Sequence, residues 1–348
     1  MAKAGDIIGL DCAGEASVAV ALVLRARLAE MCALRAAALD WSDPEGVHDM
    51  RVASRRLRSA MRDFAPYLAG RLPRKRLRQL ARTLGAVRDE DVAIIALEEL
   101  ASTAEPDIEA GLRHLIAERC ERREHARSLL ALALEESALA ALQAEFLHKL
   151  ARATRRSSAR ARRKRTEMAA RSFRHVGREI MLGLLDELVA DGQALYRPHA
   201  ERRLHRLRIA AKRLRYALEL YGPCWGEQLT WAATEVAELQ KSLGELHDCD
   251  VWLAELGDRL RGKRISAGDD VPEARASLHA ERRAATWLLD RFVKERVKHY
   301  RAALARWADW TETNFNARVR ADLAPVESTP LPVSLSAASP TTNPDVSV

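Results

Sequence analysis

Apolar residues recur every three or four positions along most of the chain, the spacing of helices that bury one face. Prolines and short polar runs interrupt this spacing and mark where helices start or stop. The pattern predicts eight main helices, at about residues 15–40, 45–67, 73–102, 106–134, 168–190, 199–221, 226–258 and 273–312. A further helix is expected at about 137–166. No strand-length alternating segment competes, so the pattern predicts an all-α fold.

Parts of the sequence occur twice. Residues 47–58 align without a gap with residues 204–215, and both copies read His-x-x-Arg-x-x-x-basic-basic-Leu-Arg. Residues 84–92 align with residues 243–251 as Leu-Gly-x-x-x-Asp-x-Asp-Val, and a weaker match pairs 115–119 with 278–282. Internal repeats at this spacing indicate two homologous halves of about four helices each. We assign them to residues 15–150 and 168–312, after an N-terminal segment at 1–14.

The repeated helix carries a stripe of cations apart from its apolar face. With His48 at 0° and 100° per residue, four arginines fall between about 280° and 340°: Arg51, Arg55, Arg58 and Arg62. The second copy places His205, Arg208, Lys212 and Arg215 at the matching angles. Cations this close on one helix repel each other, so an anion is expected to offset the cost. A solvated charged face is the alternative, but acids are absent from this face and the pattern occurs twice.

The composition agrees with a basic, helical protein. The 348 residues include 57 Lys plus Arg and 49 Asp plus Glu, a formal charge of +8, and only 5% aromatic residues. With 30% charged residues, we expect neither a membrane-spanning nor a low-complexity protein. A basic seam is expected at 151–167, between the halves, and residues 322–348, rich in Pro, Ser and Thr, are expected to form a disordered tail.

The five cysteines are scattered and never form a Cys-x-x-Cys pair, so we expect neither a disulfide framework nor a zinc site. The first residues include two aspartates, which argues against a secretory signal and favours a cytoplasmic protein.

His205, His247, Asp248 and Asp250 are candidate ligands for a hydrolase metal site. Against that hypothesis, the position in the first half that matches His247 is Arg88, which cannot bind a metal. Both residues can donate a hydrogen bond to an anion, so we expect no metal site here. The aspartates of the second motif are then expected to orient nearby arginines. Gly85 and Gly244, inside predicted helices, are expected to mark a close approach of another helix or of a ligand.

The paired motifs resemble those of the CHAD domain, the conserved histidine α-helical domain. The resemblance rests on His48-Asp49-Met50-Arg51 with Arg55-Arg56-Leu57-Arg58, on residues 84–92, and on their second copies, and it covers about residues 15–312. It implies two four-helix bundles related by a pseudo-twofold axis, whose basic surface binds inorganic polyphosphate. It further implies an association with polyphosphate granules. Many family members are linked to CYTH triphosphatases, but the Glu-x-Glu-x-Lys signature of those enzymes is absent from this sequence.

Carried over residue by residue, the resemblance assigns polyphosphate contacts to the two stripes and to cations of the second and third motifs. The residues are His48, Arg51, Arg55, Arg58, His205, Arg208, Lys212 and Arg215, then Arg82, Arg88, Lys241 and His247, and last Arg119 and Arg282. Arg62 extends the first stripe by its angle alone, and Glu219 occupies the matching place in the second, so the halves are not expected to contribute equally. The seam from Arg155 to Arg165 is a further candidate contact.

We therefore expect electrostatic capture of polyphosphate, with no enzyme activity, no cofactor and no membrane partner. The stripe from His48 to Arg62 spans about 21 Å of helix, and two stripes side by side would form a basic groove. Nucleic acid is a rival ligand, although Tyr216 is the only aromatic residue near the stripe. A metal-dependent phosphohydrolase and an accessory protein of a triphosphatase are weaker rivals. Whether His48 and His205 contact the ligand or pack helices stays open, as does the oligomeric state.

Overall fold

The structure is a computed structural model that describes residues 5–164, 171–262 and 272–324. Most of these residues are helical, which confirms the all-α fold predicted from the sequence. The α-helices in chain order are α1 (Ala16–Ala33), α2 (Arg35–Ala38), α3 (Pro44–Asp63), α4 (Arg74–Ala101), α5 (Pro106–Ala133), α6 (Glu136–Lys164), α7 (Phe173–Asp191), α8 (Glu201–Tyr221), α9 (Thr230–Gly262), α10 (Pro272–Glu312) and α11 (Phe315–Asp322). Short 3-10 helices occupy Ala65–Tyr67, Gly192–Tyr196 and Gly222–Leu229.

Helices that follow one another along the chain pack together in each part of the protein. Helices α1, α3, α4 and α5 form one group, and α7, α8, α9 and α10 form the other. The groups meet where α1 contacts α7, α3 contacts α8 and α5 contacts α10, while α6 packs on α1. These contacts join helices that occupy the same place in the two proposed repeats. They are the contacts that a pseudo-twofold arrangement requires, and the duplication itself stays a prediction.

Helix α3, which carries the first cationic stripe, begins as its sequence predicts. The Asp43 carboxylate accepts a hydrogen bond from the amide of Glu45 at 2.9 Å, and Pro44 occupies the first helical position. The helix buries Met50, Leu57 and Met61. Because this apolar face is fixed in the core, the opposite face is free to present arginine side chains.

Three aromatic rings fill the core where α3, α7 and α8 meet. The centroids of Phe64 and Phe173 lie 6.2 Å apart, and those of Phe173 and Tyr221 lie 5.2 Å apart. Phe64 and Tyr221 also meet edge to face at 6.1 Å, and all three rings are fully buried. Phe64 and Tyr221 are thus core residues at the ends of the two helices that carry the cationic stripes. The rings join the two groups of helices close to the ends of α3 and α8, so they help to hold those helices side by side.

Some helix ends differ from the predicted ones. The first predicted helix breaks at Leu34, and the helix predicted at 45–67 ends as an α-helix at Asp63, just before the 3-10 helix that contains Pro66. A proline disfavours the α conformation in the residue before it, which explains this early end. Helix α6 runs without a break through residue 151, where a seam between the halves was expected. The seam side chains from 156 onward lie outside the described residues.

The expected tail at 322–348 begins too early. Helix α11, which no sequence pattern predicted, places Phe315, Val319 and Leu323 in the core. Asp322 accepts a hydrogen bond from the indole N–H of Trp231 at 2.8 Å. Asp322 and Leu323 are therefore part of the folded protein, because a buried side chain and a hydrogen bond hold them there. The rest of the expected tail, from residue 325, lies outside the described residues.

The structure also departs from the expectations for cysteine and glycine. Cys12 and Cys224, 212 residues apart, form a disulfide bond, whereas the sequence analysis expected no disulfide framework. A Cβ atom at Gly244 would meet nothing within 4 Å, and one at Gly85 would only touch the Arg51 guanidinium, so neither marks close helix packing. That role belongs to Gly111, where a Cβ would lie 2.2 Å from the carbonyl oxygen of Ala280 on α10.

In the described part of the chain, no helix is long and apolar enough to cross a membrane. The cytoplasmic location stays a prediction.

Candidate functional site

The cationic stripe of α3 forms as predicted and is crowded. Burial lowers the pKa of Arg58, and the neighbouring charges of Arg55, Arg78, Arg62 and Arg82 lower it further. Three of these neighbours are in the predicted set, while Arg78 adds a cation from α4. The crowding raises the free energy of the charged state, and a bound anion would relieve it.

The second stripe, on α8, approaches the first. Burial and, after it, the charges of Arg55, Arg208, Arg51 and Arg215 together lower the pKa of Lys212 to about 7. The pKa of Arg208 is also lowered, by burial and by the charge of Arg55, although Asp248 and Asp89 oppose the shift. Cations of α3 therefore act directly on cations of α8. The two predicted stripes lie side by side where α3 contacts α8.

A cleft of about 350 Å³ opens between α3, α4 and α8. Seven cationic residues line it: Arg55, Arg58, Arg62, Arg74, Arg78, Lys212 and Arg213. The other lining residues are Ser59, Met61, Ile209 and Tyr216. No carboxylate is among the described residues of this lining. We call it the main cleft.

Three of the main-cleft cations were missed by the sequence analysis. Arg74 and Arg78 come from the first turns of α4, and Arg213 comes from α8, where it is paired with Glu187. The guanidinium of Arg74 donates a hydrogen bond to the carbonyl oxygen of Met61 at 3.1 Å, which ties the start of α4 to α3. A signal was present, because Arg74, Arg78 and Arg82 are spaced four residues apart and share a face of α4.

The aspartates of the second motif orient arginines, as expected. Asp89 accepts a hydrogen bond from Arg51 at 2.8 Å, and Asp250 accepts one from Arg296 at 2.6 Å. Asp91 is buried, and its carboxylate lies 3.7 Å from the guanidinium of Arg123. These acids hold cations of neighbouring helices in place.

Comparison with known proteins agrees with this arrangement. The family model described as CHAD domain matches residues 22–257, which include both stripes and both copies of the second motif. The chain belongs to the CHAD family. No curated protein matches the sequence.

Two solved structures have a similar fold. The CHAD domain from the plant Ricinus communis superposes with a TM-score of 0.64 at 23% sequence identity, covering 87% of this chain and 95% of that chain. PptA from Streptomyces chartreusis superposes with a TM-score of 0.57 at 18% identity, covering 85% of this chain and 100% of that chain. At these identities the likeness concerns the CHAD fold alone.

The CHAD histidines lie beside the cleft rather than in its lining. His48 is half-buried, and its pKa is lowered by burial and by the charge of Arg88. The rings of His205 and His247 pack with centroids 4.7 Å apart, and burial together with Arg208 lowers the pKa of His247. All three imidazoles are therefore mainly neutral at pH 7 and can each donate one hydrogen bond. In the second half, the contact between His205 and His247 packs α8 against α9.

The candidate metal ligands are arranged differently from the sequence hypothesis. Within the described residues, the one His/Cys/Asp/Glu group whose ligand atoms all lie within 4.8 Å of one another is Glu45, His48 and Asp49. Arg88 lies 3.2 Å from the Glu45 carboxylate and competes with a cation for it. In the other half, Asp250 is bonded to Arg296.

Several predicted contacts lie away from the main cleft. Arg215 is buried and donates a hydrogen bond to Glu219 at 2.9 Å, because the acid four residues along the helix captures its guanidinium. Arg119 bonds to Glu90 and Glu255, which joins α5 to α4 and α9. Carboxylates bond to both guanidinium groups in the free protein, and the assignment of polyphosphate contacts to these two residues stays a prediction.

The remaining predicted residues are not part of the main-cleft lining. Arg82 and Lys241 are exposed, and the charge of Arg82 lowers the pKa of Arg58. Arg88 is half-buried beside His48. Arg282 lies on α10 near Ile108, in a shallow surface pocket that shares no residue with the main cleft. The structure thus brings the first and second motifs together and leaves the third apart.

Proposed function

We propose that this protein binds inorganic polyphosphate in the main cleft and does not convert it chemically. The observation that carries the proposal is the cleft lining, with seven cations from three helices and no carboxylate among its described residues. Six of the seven are arginines, whose guanidinium groups can each meet two phosphate oxygens. Such a concentration of like charge is unfavourable in the free protein, and a ligand with a negative charge on every phosphate would offset it.

The length of the stripes supports a chain-like ligand. The α3 stripe from His48 to Arg62 covers about 21 Å of helix, and the α8 stripe lies beside it. A single phosphate would use a few of these cations, whereas a linear polyanion can use most of them at once. Membership of the CHAD family supports polyphosphate in particular, because the motif resemblance implies that ligand. Recruitment to polyphosphate granules is part of the same proposal.

The proposed mechanism is electrostatic. Binding of a polyanion to a cationic cleft releases condensed counterions, so affinity falls steeply as salt rises. The protein holds cations in place before a ligand binds, as the Met61 carbonyl oxygen holds Arg74 and the Asp89 carboxylate holds Arg51. The described lining of the main cleft contains no carboxylate and no histidine, the side chains that most often bind a catalytic metal or act as the general base of a hydrolase.

Nucleic acid is the main competing ligand, and one experiment separates the two. The protein is titrated with long-chain polyphosphate at roughly 50 and 200 mM salt, with duplex DNA and single-stranded RNA as competitors. The proposal predicts tight, salt-sensitive binding that neither competitor displaces at equal phosphate concentration. Equal displacement would make the cleft a general polyanion surface. Release of free phosphate from short polyphosphates in the presence of a divalent metal would overturn the non-catalytic assignment.

A further inference from the structure

A second basic cleft adjoins the main one. It has a volume of about 660 Å³ and lies between the segment before α4, the first turn of α4, and α6. Its lining includes five cations and one carboxylate: Arg71, Arg74, Lys75, Arg76, Lys149 and Glu145. No motif of the sequence analysis covers this region, and α6 has no counterpart among the four helices expected in each half. We call it the second cleft.

The two clefts share part of their lining. Met61 and Arg74 line both of them, so they form the boundary that a ligand would cross. The hydrogen bond from Arg74 to the Met61 carbonyl oxygen, at 3.1 Å, holds this guanidinium at the boundary. A cation fixed between two basic clefts can contact a phosphate in either one. The path from the main cleft therefore stays positively charged.

The charges of the second cleft are only partly offset within the protein. Glu145 accepts hydrogen bonds from Arg76 at 2.8 Å and from Lys149 at 2.6 Å, and these bonds lower its pKa. Arg71 and Lys75 are exposed and lie on the same cleft. A single carboxylate thus faces five cations, and the remaining positive charge is available to an anion.

Three of these cations lie where positive charge is unfavourable, which raises the free energy of the cleft when no anion is bound. Arg74, Lys75 and Arg76 are the first three residues of α4, and its first turn contains no acid. The start of a helix is the positive end of its dipole, where cations are disfavoured and anions are favoured. The preceding residue, Pro73, makes no side-chain cap to this turn. The second cleft therefore favours an anion for two reasons. Arg71 and Lys149 line it, and the start of α4 lies at the same place.

We propose that the second cleft is an additional subsite for a polyphosphate chain that leaves the main cleft past Arg74. This inference rests on the proposed function and specifies how the protein distinguishes long polyphosphate chains from short ones. A short polyphosphate occupies the main cleft alone. A long one fills both clefts, and because its second segment is tethered to the first, that segment binds at a high effective concentration. The protein then prefers long chains over short ones.

The test compares short and long ligands on a variant of the second cleft. Arg71 and Lys75 are both replaced by Ala, and binding of tripolyphosphate and of a chain of about a hundred phosphates is titrated at two salt concentrations. We expect affinity for the long chain to fall about tenfold and its salt slope to fall by roughly 1 to 2, since two phosphate contacts are lost. Affinity for tripolyphosphate stays unchanged, which also shows that the main cleft is still folded.

The matched control is Arg301→Ala with Lys294→Ala, which removes the same charge from exposed positions of α10 that line neither cleft. We expect this control to bind both ligands like the unaltered protein. An equal loss for the control and the second-cleft variant would overturn the subsite, as would unchanged long-chain binding by the second-cleft variant. If the unaltered protein bound neither ligand, the proposed function itself would fail. Binding by the unaltered protein with no preference for long chains would refute the subsite alone.

Discussion

The guanidinium of Arg51 on α3 donates a hydrogen bond to the carboxylate of Asp89 on α4 at 2.8 Å. The charge of Asp89 also affects Arg208 on α8. Burial lowers the pKa of Arg208, and Asp89 partly opposes this by raising it. One exposed carboxylate thus offsets cations of both stripes while it fixes the position of one of them. A positioning acid of this kind weakens the positive potential that a polyanion meets.

The first prediction concerns this acid. Asp89→Asn keeps a hydrogen-bond acceptor for Arg51 and removes the negative charge, so affinity for polyphosphate should rise several-fold. The free energy of unfolding should change by less than about 1 kcal/mol, because the Asp89 side chain is 67% exposed. The control is Asp107→Asn, which alters a similarly exposed ion pair with Arg283. A loss of affinity in the Asp89 variant alone would mean that the charge of Asp89 is needed to position Arg51.

The second prediction concerns pH. Lys212 has a pKa of about 7 in the free protein because of burial and the nearby arginines Arg55, Arg208, Arg51 and Arg215. Its charged form binds anions, so affinity should be highest below pH 7 and should fall as pH rises from about 7 to 8.5. The pKa values of His48, His205 and His247 are lowered from 6.5, which places their titration below this window.

The variant Lys212→Arg provides the matching control for the pH effect. Arginine stays charged throughout this range, so the variant should bind equally well at pH 7 and 8.5. Titrations at constant ionic strength would measure both proteins. A pH dependence that persists in Lys212→Arg would assign the effect to another group.

The third prediction separates stability from binding at Arg119. This guanidinium bonds to Glu90 at 3.0 Å and to Glu255, and it lies over the ring of Trp252. Arg119→Ala should lower the free energy of unfolding by about 2–3 kcal/mol, because it removes the arginine that bonds to half-buried Glu90 and one of the two arginines that bond to Glu255. Affinity for polyphosphate should not change. The comparison variant is Arg122→Ala, whose more exposed side chain should cost less than about 1 kcal/mol.

A weaker polyphosphate complex in Arg119→Ala, with the fold intact by thermal unfolding, would restore the third motif to the binding site.

The fourth prediction concerns two helix glycines. Gly111→Ala should destabilise the protein by at least about 2 kcal/mol, since the added Cβ would lie 2.2 Å from the carbonyl oxygen of Ala280. Gly244→Ala meets nothing within 4 Å and should stabilise α9 by up to about 1 kcal/mol through helix propensity. Urea unfolding measures both changes. Equal effects at the two positions would contradict the close contact of α5 with α10.

The sequence predicted the helices and the cationic stripes because both depend on local spacing. The angle of Arg55 and Arg58 on α3 follows from 3.6 residues per turn, and the repeat pointed to the partner stripe on α8. The start of α3 is also determined locally, by the Asp43 cap and by Pro44 at the first helical position. These features need no knowledge of how distant segments meet.

What the sequence did not show depends on tertiary contacts. Arg74 and Arg78 line the main cleft only because the start of α4 packs beside α3. Arg215 shares the periodicity of the stripe, yet Glu219 captures it, since an acid four residues along the same helix is within reach. Leu323 lies in the stretch that its composition assigned to a polar tail, but it is buried in the core beside α11. Periodicity cannot settle which of several possible partners a side chain meets.

The most direct test of the central claim removes charge from the main cleft. Arg55→Ala with Arg58→Ala eliminates two of its seven cations, and long-chain polyphosphate is titrated across a salt series alongside the control Arg301→Ala with Lys294→Ala. The account predicts that affinity falls by roughly tenfold or more and that the salt slope decreases by about 1 to 2, with the control unchanged. An unaltered affinity and salt slope in the main-cleft variant would show that polyphosphate does not bind between α3, α4 and α8.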